Sequence, residues 1–103
     1  MFRLVWVPLP ILELALKNKR HREIGLFIYL KMTSNSRVII DKRRMKQLTQ
    51  VFHVSESIIY RRLKRLKDWN WIGYDIITGV YHIRGFGYIY EKEELVSKTV
   101  VKI

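Results

Sequence analysis

Apolar and polar positions change period several times along the chain, and each change marks an element. Phe2, Leu4 and Trp6 alternate with Arg3 and Val5, a period of two that predicts a short strand ended by Pro8. Pro10 is placed to open a helix over 11–16, and the basic run 17–22, with no apolar side chain, reads as a polar joint. Between 23 and 32, Ile24, Phe27, Ile28 and Met32 recur at three- and four-residue steps and predict a core helix. Thr33, Ser34, Asn35 and Ser36 form a turn cluster, and the β-branched stretch 37–40 predicts a brief strand.

Asp41 is a natural N-cap for a helix over 42–52, whose Met45, Leu48 and Phe52 share one face. His53 and Val54 make a turn, and the Ser55 hydroxyl is expected to accept from a free backbone N–H of a helix over 55–68. Ile59, Leu63 and Leu66 are the buried stripe of that helix, and Asn70 ends it in a left-handed conformation. Ile72, Tyr74 and Ile76 then alternate with Gly73, Asp75 and Ile77, Thr78 and Gly79 reverse the chain, and an extended run over 80–84 completes a β-hairpin. Gly85 and Gly87 loosen the chain ahead of 88–90, and the charged stretch 91–94 leads into a tail compatible with helix or strand.

A length of 103 residues with 49% hydrophobic content suits one domain spanning 1–103, with its core at about 23–85. Without cysteine there is neither a disulfide framework nor a thiolate metal site. The apolar start is broken by Pro8, Pro10 and Glu13 and no small-residue cleavage site follows, so a secretion signal is not expected. No run approaches the ~20 apolar residues of a membrane span; the expectation is a cytoplasmic protein without membrane contact. His21, His53 and His82 are far apart, the acids are scattered and no glycine-rich phosphate loop occurs, so no enzyme activity, metal, cofactor or small-molecule substrate is expected.

Charge narrows the picture further. The formal net charge is +11, and residues 41–72 hold nine basic residues against three acidic ones, over half of that excess. So concentrated a positive field attracts polyanions. At ~100° per residue the side of helix 55–68 opposite the apolar stripe carries Ser57, Arg61, Lys64 and Asp68, with Ile58 and Arg65 at its edge. Arg61, Lys64 and Arg65 suit phosphates or base edges, since an arginine fork matches the two acceptors of guanine and lysine acts as a point charge. Ser57 and Tyr60 can hydrogen-bond to phosphate, although Tyr60 lies near the buried stripe and is equally suited to packing. Lys42, Arg43, Arg44 and Lys46 lie at a helix start, where a phosphate or a solvated first turn both fit. Trp69 and Trp71 read either as base-stacking platforms or as filling between helix and hairpin, and filling is the commoner use of such residues.

The order helix, short strand, helix, turn, helix, hairpin resembles the winged helix-turn-helix family, and Val54-Ser55-Glu56-Ser57-Ile58-Ile59-Tyr60-Arg61-Arg62-Leu63-Lys64-Arg65-Leu66 is similar to its recognition-helix pattern. The likeness covers about 23–85. It implies an α+β fold: a three-helix winged helix-turn-helix core with a C-terminal β-hairpin wing. Helix 42–52 would position, helix 55–68 would read the major groove, and 75–84 would be the wing with Thr78 and Gly79 at its tip. His53 and Asn70 stand where the family often has glycine, and both residue types are enriched at positive φ. The wing holds few cations, only Arg84 with His82 nearby. The leading strand and proline-opened helix also resemble the start of phage and plasmid replication-initiation proteins.

These features predict a double-stranded DNA-binding protein acting in transcription or replication initiation, with Ser57, Tyr60, Arg61, Lys64, Arg65, Lys42, Arg43 and Arg84 as DNA-binding residues. The alternative from a different class is an RNA-binding or protein-binding winged module. A homodimer is compatible with such binders, and Leu95, Val96, Val100, Val101 and Ile103 are apolar enough either to form its interface or to pack on their own chain.

Overall fold

The computed structural model describes residues 9–17 and 19–93. They form, in order, α1 (Leu9–Lys17), α2 (His21–Thr33), β1 (Arg37–Ile39), α3 (Lys42–Phe52), α4 (Glu56–Asp68), β2 (Ile72–Asp75), β3 (Val80–Ile83) and α5 (Phe86–Lys92). The fold is α+β, with an antiparallel sheet in the order β1-β3-β2. The strand expected at Phe2 to Trp6 and the apolar tail from Leu95 to Ile103 lie outside the described residues.

Helix α2 is the centre of the core. Ile24, Leu26, Phe27 and Leu30 are buried, whereas Ile28 and Met32, expected on the inner stripe, are only half-buried. The stripe is rotated because α2 meets α1, α4 and β3 together, so more than one face is covered. The helix also begins at His21, two residues earlier than its apolar spacing suggests, since its first two residues, His21 and Arg22, are polar and exposed.

The two helices that follow are built as their patterns dictate. The Asp41 carboxylate accepts from the Arg44 backbone N–H at 2.8 Å, a side-chain cap at the start of α3. Met45 and Leu48 are buried, and half-buried Phe52 meets Tyr29 edge-to-face at 5.5 Å. His53 turns the chain with φ 55°. Ser55 sits at the N-cap of α4 with extended backbone but makes no capping bond, which corrects the expected acceptor role; its hydroxyl instead pairs with that of Ser57 at 3.0 Å. Ile59, Leu63 and Leu66 are buried as their spacing requires.

Asn70, with φ 68°, closes α4. Its N–H donates to the Lys67 carbonyl at 2.9 Å and the Trp71 N–H to the Leu66 carbonyl at 3.0 Å, the pair of bonds that defines a Schellman stop. The hairpin that follows has a longer loop than the sequence suggests: β2 ends at Asp75, and Ile76 and Ile77 belong to the turn. The Asp75 carboxylate accepts from the Ile77 N–H at 2.9 Å, and the Gly79 N–H donates to the Asp75 carbonyl at 2.7 Å. Gly79 supplies the positive φ, 72°, that this turn needs.

The core extends beyond residues 23–85. Ile11 of α1 and Ile89 of α5 are both fully buried in it. The stretch expected to loosen at Gly85 and Gly87 is instead helix α5, because Phe86 and Ile89, one turn apart, dock against the core and outweigh the low helix propensity of Gly87.

Candidate nucleic-acid interface

Helix α4 divides its exposed side into three strips. The outermost holds Ser57, Arg61, Lys64 and Asp68, and all four are exposed. Lys64 pairs with Asp68 at 3.1 Å, one helical turn on, in a solvent-facing contact that contributes little and yields readily to a stronger anion. Tyr60 and Arg65 are also exposed, so the five α4 side chains singled out from the sequence share one accessible surface.

On one flank, Tyr60, Lys64 and Lys67 border a shallow groove whose other wall is Tyr74 and Tyr81 of the sheet. Tyr74 and Tyr81 are register partners with ring centroids 4.6 Å apart. Burial raises the Tyr81 hydroxyl above its ordinary range, with Tyr74 and then Tyr60 adding to the effect. Tyr81 therefore stays a neutral hydroxyl donor at physiological pH.

On the other flank, Arg61, Arg62 and Arg65 face Lys19, His21 and Arg22 across a groove of about 660 Å³. The buried Glu23 carboxylate lies 3.7 Å from the Arg65 guanidinium and holds it over this groove. Of this cationic groove, only Arg61 and Arg65 were expected at the site. Lys19, His21 and Arg22 belong to the run read as a polar joint, and its lack of apolar residues was the one available signal.

The remaining predicted residues line neither of these two grooves. Lys42 and Arg43 are exposed in the first turn of α3, about 16 Å from its far end by helical rise. Arg44 in the same turn is committed to structure: its guanidinium donates to Gln47 at 2.8 Å and to the Thr33 hydroxyl at 2.6 Å, tying α3 to α2. Arg84 lies apart from the α4 cations. Side chains alternate across a sheet, and the Arg84 guanidinium lies over Gly73, where an added Cβ would come within 3.0 Å of it. That face is opposite the one carrying Tyr74 and Tyr81, and the guanidinium also stacks on Tyr88 of α5 at 5.2 Å. Arg84 thus sits at the root of the hairpin, turned away from α4. The hairpin tip instead presents Ile76 and Ile77, 83% and 90% exposed.

Both tryptophans are accounted for by packing. Trp71 is fully buried, meets Phe27 edge-to-face at 5.4 Å and donates from Nε1 to Glu93 at 2.9 Å. Trp69 is half-buried under the Arg20 guanidinium, 4.3 Å from its ring.

The hairpin turn carries a pH signature. The Ile77 N–H and then the Thr78 hydroxyl hold the Asp75 carboxyl below the ordinary aspartate range, with His82 adding a smaller pull. A depressed folded value means that the turn keeps its full contribution above the unfolded-chain range and loses it as pH falls through the lower folded value. The expected result is an Ile77 amide shift titrating with a midpoint below that of an unstructured aspartate. A midpoint at or above that value contradicts the turn as described.

Comparison of the chain with protein-family models, curated proteins and solved structures finds no match. Among the described residues no helix is long and apolar enough to cross a membrane, and no three His, Cys, Asp or Glu side chains group as metal ligands.

Proposed function

We propose that the chain is a winged helix-turn-helix protein that binds double-stranded DNA, in transcriptional control or replication initiation, with α4 in the major groove and the β2–β3 hairpin beside it as the wing. The observation that carries this reading is the exposed placement of Arg61, Lys64 and Arg65 on α4, opposite the buried Ile59, Leu63 and Leu66. A helix ~10–12 Å across matches a groove ~12 Å wide, and the 13 residues of α4 at ~1.5 Å each give about 20 Å of reading length. The order α2, β1, α3, α4, hairpin supports the same architecture.

In this reading Arg61 and Lys64 reach base edges or phosphates, Ser57 and Tyr60 offer hydroxyls to phosphate, and Lys42 and Arg43 meet the backbone from the start of α3. The wing contributes little charge, because its tip is apolar and Arg84 faces away. Affinity then rests on α4 and its flanks. With about five phosphates neutralised, log affinity should fall against log salt with a slope of roughly −4 to −5. The test is competition between duplex DNA, structured RNA and an acidic protein for the labelled chain. Duplex DNA should displace the others. Preference for structured RNA overturns the duplex reading, and indifference to both nucleic acids moves the surface to a protein partner.

A further inference from the structure

The groove between α4 and the α1–α2 joint has no assigned role so far, and its composition is unusual. Lys19 and Arg22 on one wall and Arg61, Arg62 and Arg65 on the other place five formal cations around about 660 Å³, against the single carboxylate of Glu23. The two walls come from segments some forty residues apart in sequence. Like charges gathered this closely repel one another unless an anion lies between them.

The joint wall is also fixed in place. Arg20, in the middle of the basic run, donates to the Glu93 carboxylate at 3.1 Å and lies over the Trp69 ring at 4.3 Å. The same Glu93 oxygen accepts from the Trp71 indole at 2.9 Å. One cation of the run is thus sequestered as a clamp, and its neighbours Lys19, His21 and Arg22 are left exposed at a set distance from α4. Fixing the wall beforehand lowers the ordering cost of binding an anion there.

We infer that this groove holds the phosphodiester backbone of one DNA strand along the flank of α4, an inference that rests on the duplex reading above. A helix seated in the major groove has a phosphate backbone rising on each side of it. The groove lies on one of those flanks, and the Tyr60, Lys64 and Lys67 groove lies on the other. Lys19 and Arg22 supply charge without reading bases, so they act uniformly on all sequences. Glu23 is a positioning residue that keeps Arg65 turned into the groove.

The experiment compares salt titrations of duplex binding for the full chain, for Lys19→Gln with Arg22→Gln, and for a charge-matched pair outside the groove, Lys17→Gln with Arg37→Gln. All four side chains are exposed, so both variants should fold, which circular dichroism checks. The groove pair should show a slope shallower by roughly 1.8 and an affinity about tenfold or more weaker at physiological salt, while its relative preference among duplex sequences is unchanged. The outside pair should keep most of the slope, and Lys19→Arg with Arg22→Lys should restore it. An unchanged slope in the groove pair, with the full chain still binding, overturns the groove and leaves the duplex reading intact. An equal fall in both pairs assigns the loss to the overall field and also overturns the groove. Failure of the full chain to bind duplex at low salt overturns both.

Discussion

Arg61→Ala combined with Lys64→Ala should lower duplex affinity by at least about 30-fold while leaving the melting temperature within a few degrees. The magnitude follows from ~1–3 kcal/mol for each good base or phosphate contact, with two contacts removed. Stability is spared because both side chains are exposed and, among the described residues, the one ion pair that either makes is the surface contact of Lys64 with Asp68. Fluorescence anisotropy with a labelled duplex, alongside a thermal melt, reads both quantities. A folded double variant that binds as tightly as the original chain removes α4 from the interface.

Trp71→Ala acts on the other link, from packing to stability. Trp71 is fully buried, stands edge-to-face to Phe27 at 5.4 Å and to Trp69 at 6.0 Å, and is the indole donor to Glu93. Truncation of a buried tryptophan costs about 3–5 kcal/mol, a large share of the ~5–15 kcal/mol typical of a whole domain. It should lower the melting temperature by about 12 °C or more, given roughly 4 °C or more per kcal/mol at this size. Trp71→Phe should lose less, since it keeps a ring against Phe27 and gives up the indole donor and part of the buried ring volume. A fall below about 4 °C for the alanine variant would show that this residue does not anchor the core.

The same three residues show what a sequence can and cannot reveal. Arg61 and Lys64 were legible because local periodicity fixes the inner stripe of a helix, and a helix has only one opposite side. Asp41 as a cap and Asn70 at positive φ were legible because each is a local solution to unpaired backbone groups. Trp71 was ambiguous because its environment is assembled from Phe27 of α2, Trp69 just past α4 and Glu93 just past α5. The direction of Arg84 was not legible because it depends on strand register, which places it over Gly73, and on α5, which places Tyr88 beneath it. Helix α5 was itself hidden, since Gly85 and Gly87 argue locally against a helix that Phe86 and Ile89 stabilise by docking. Arg20 is the extreme case. Its partner Glu93 is 73 residues away, so nothing in the basic run 17–22 distinguishes the clamp from its exposed neighbours.

The most direct test is amide-shift mapping of the isotope-labelled chain as an unlabelled DNA duplex is added. Seating of α4 in the major groove predicts large shifts along 57–68, with Ser57, Arg61, Lys64 and Arg65 prominent, weaker ones at Lys42 and Arg43, and little change at Arg84 and Tyr88. Shifts centred on α5 and the Arg84 face of the sheet, with α4 silent, would contradict it.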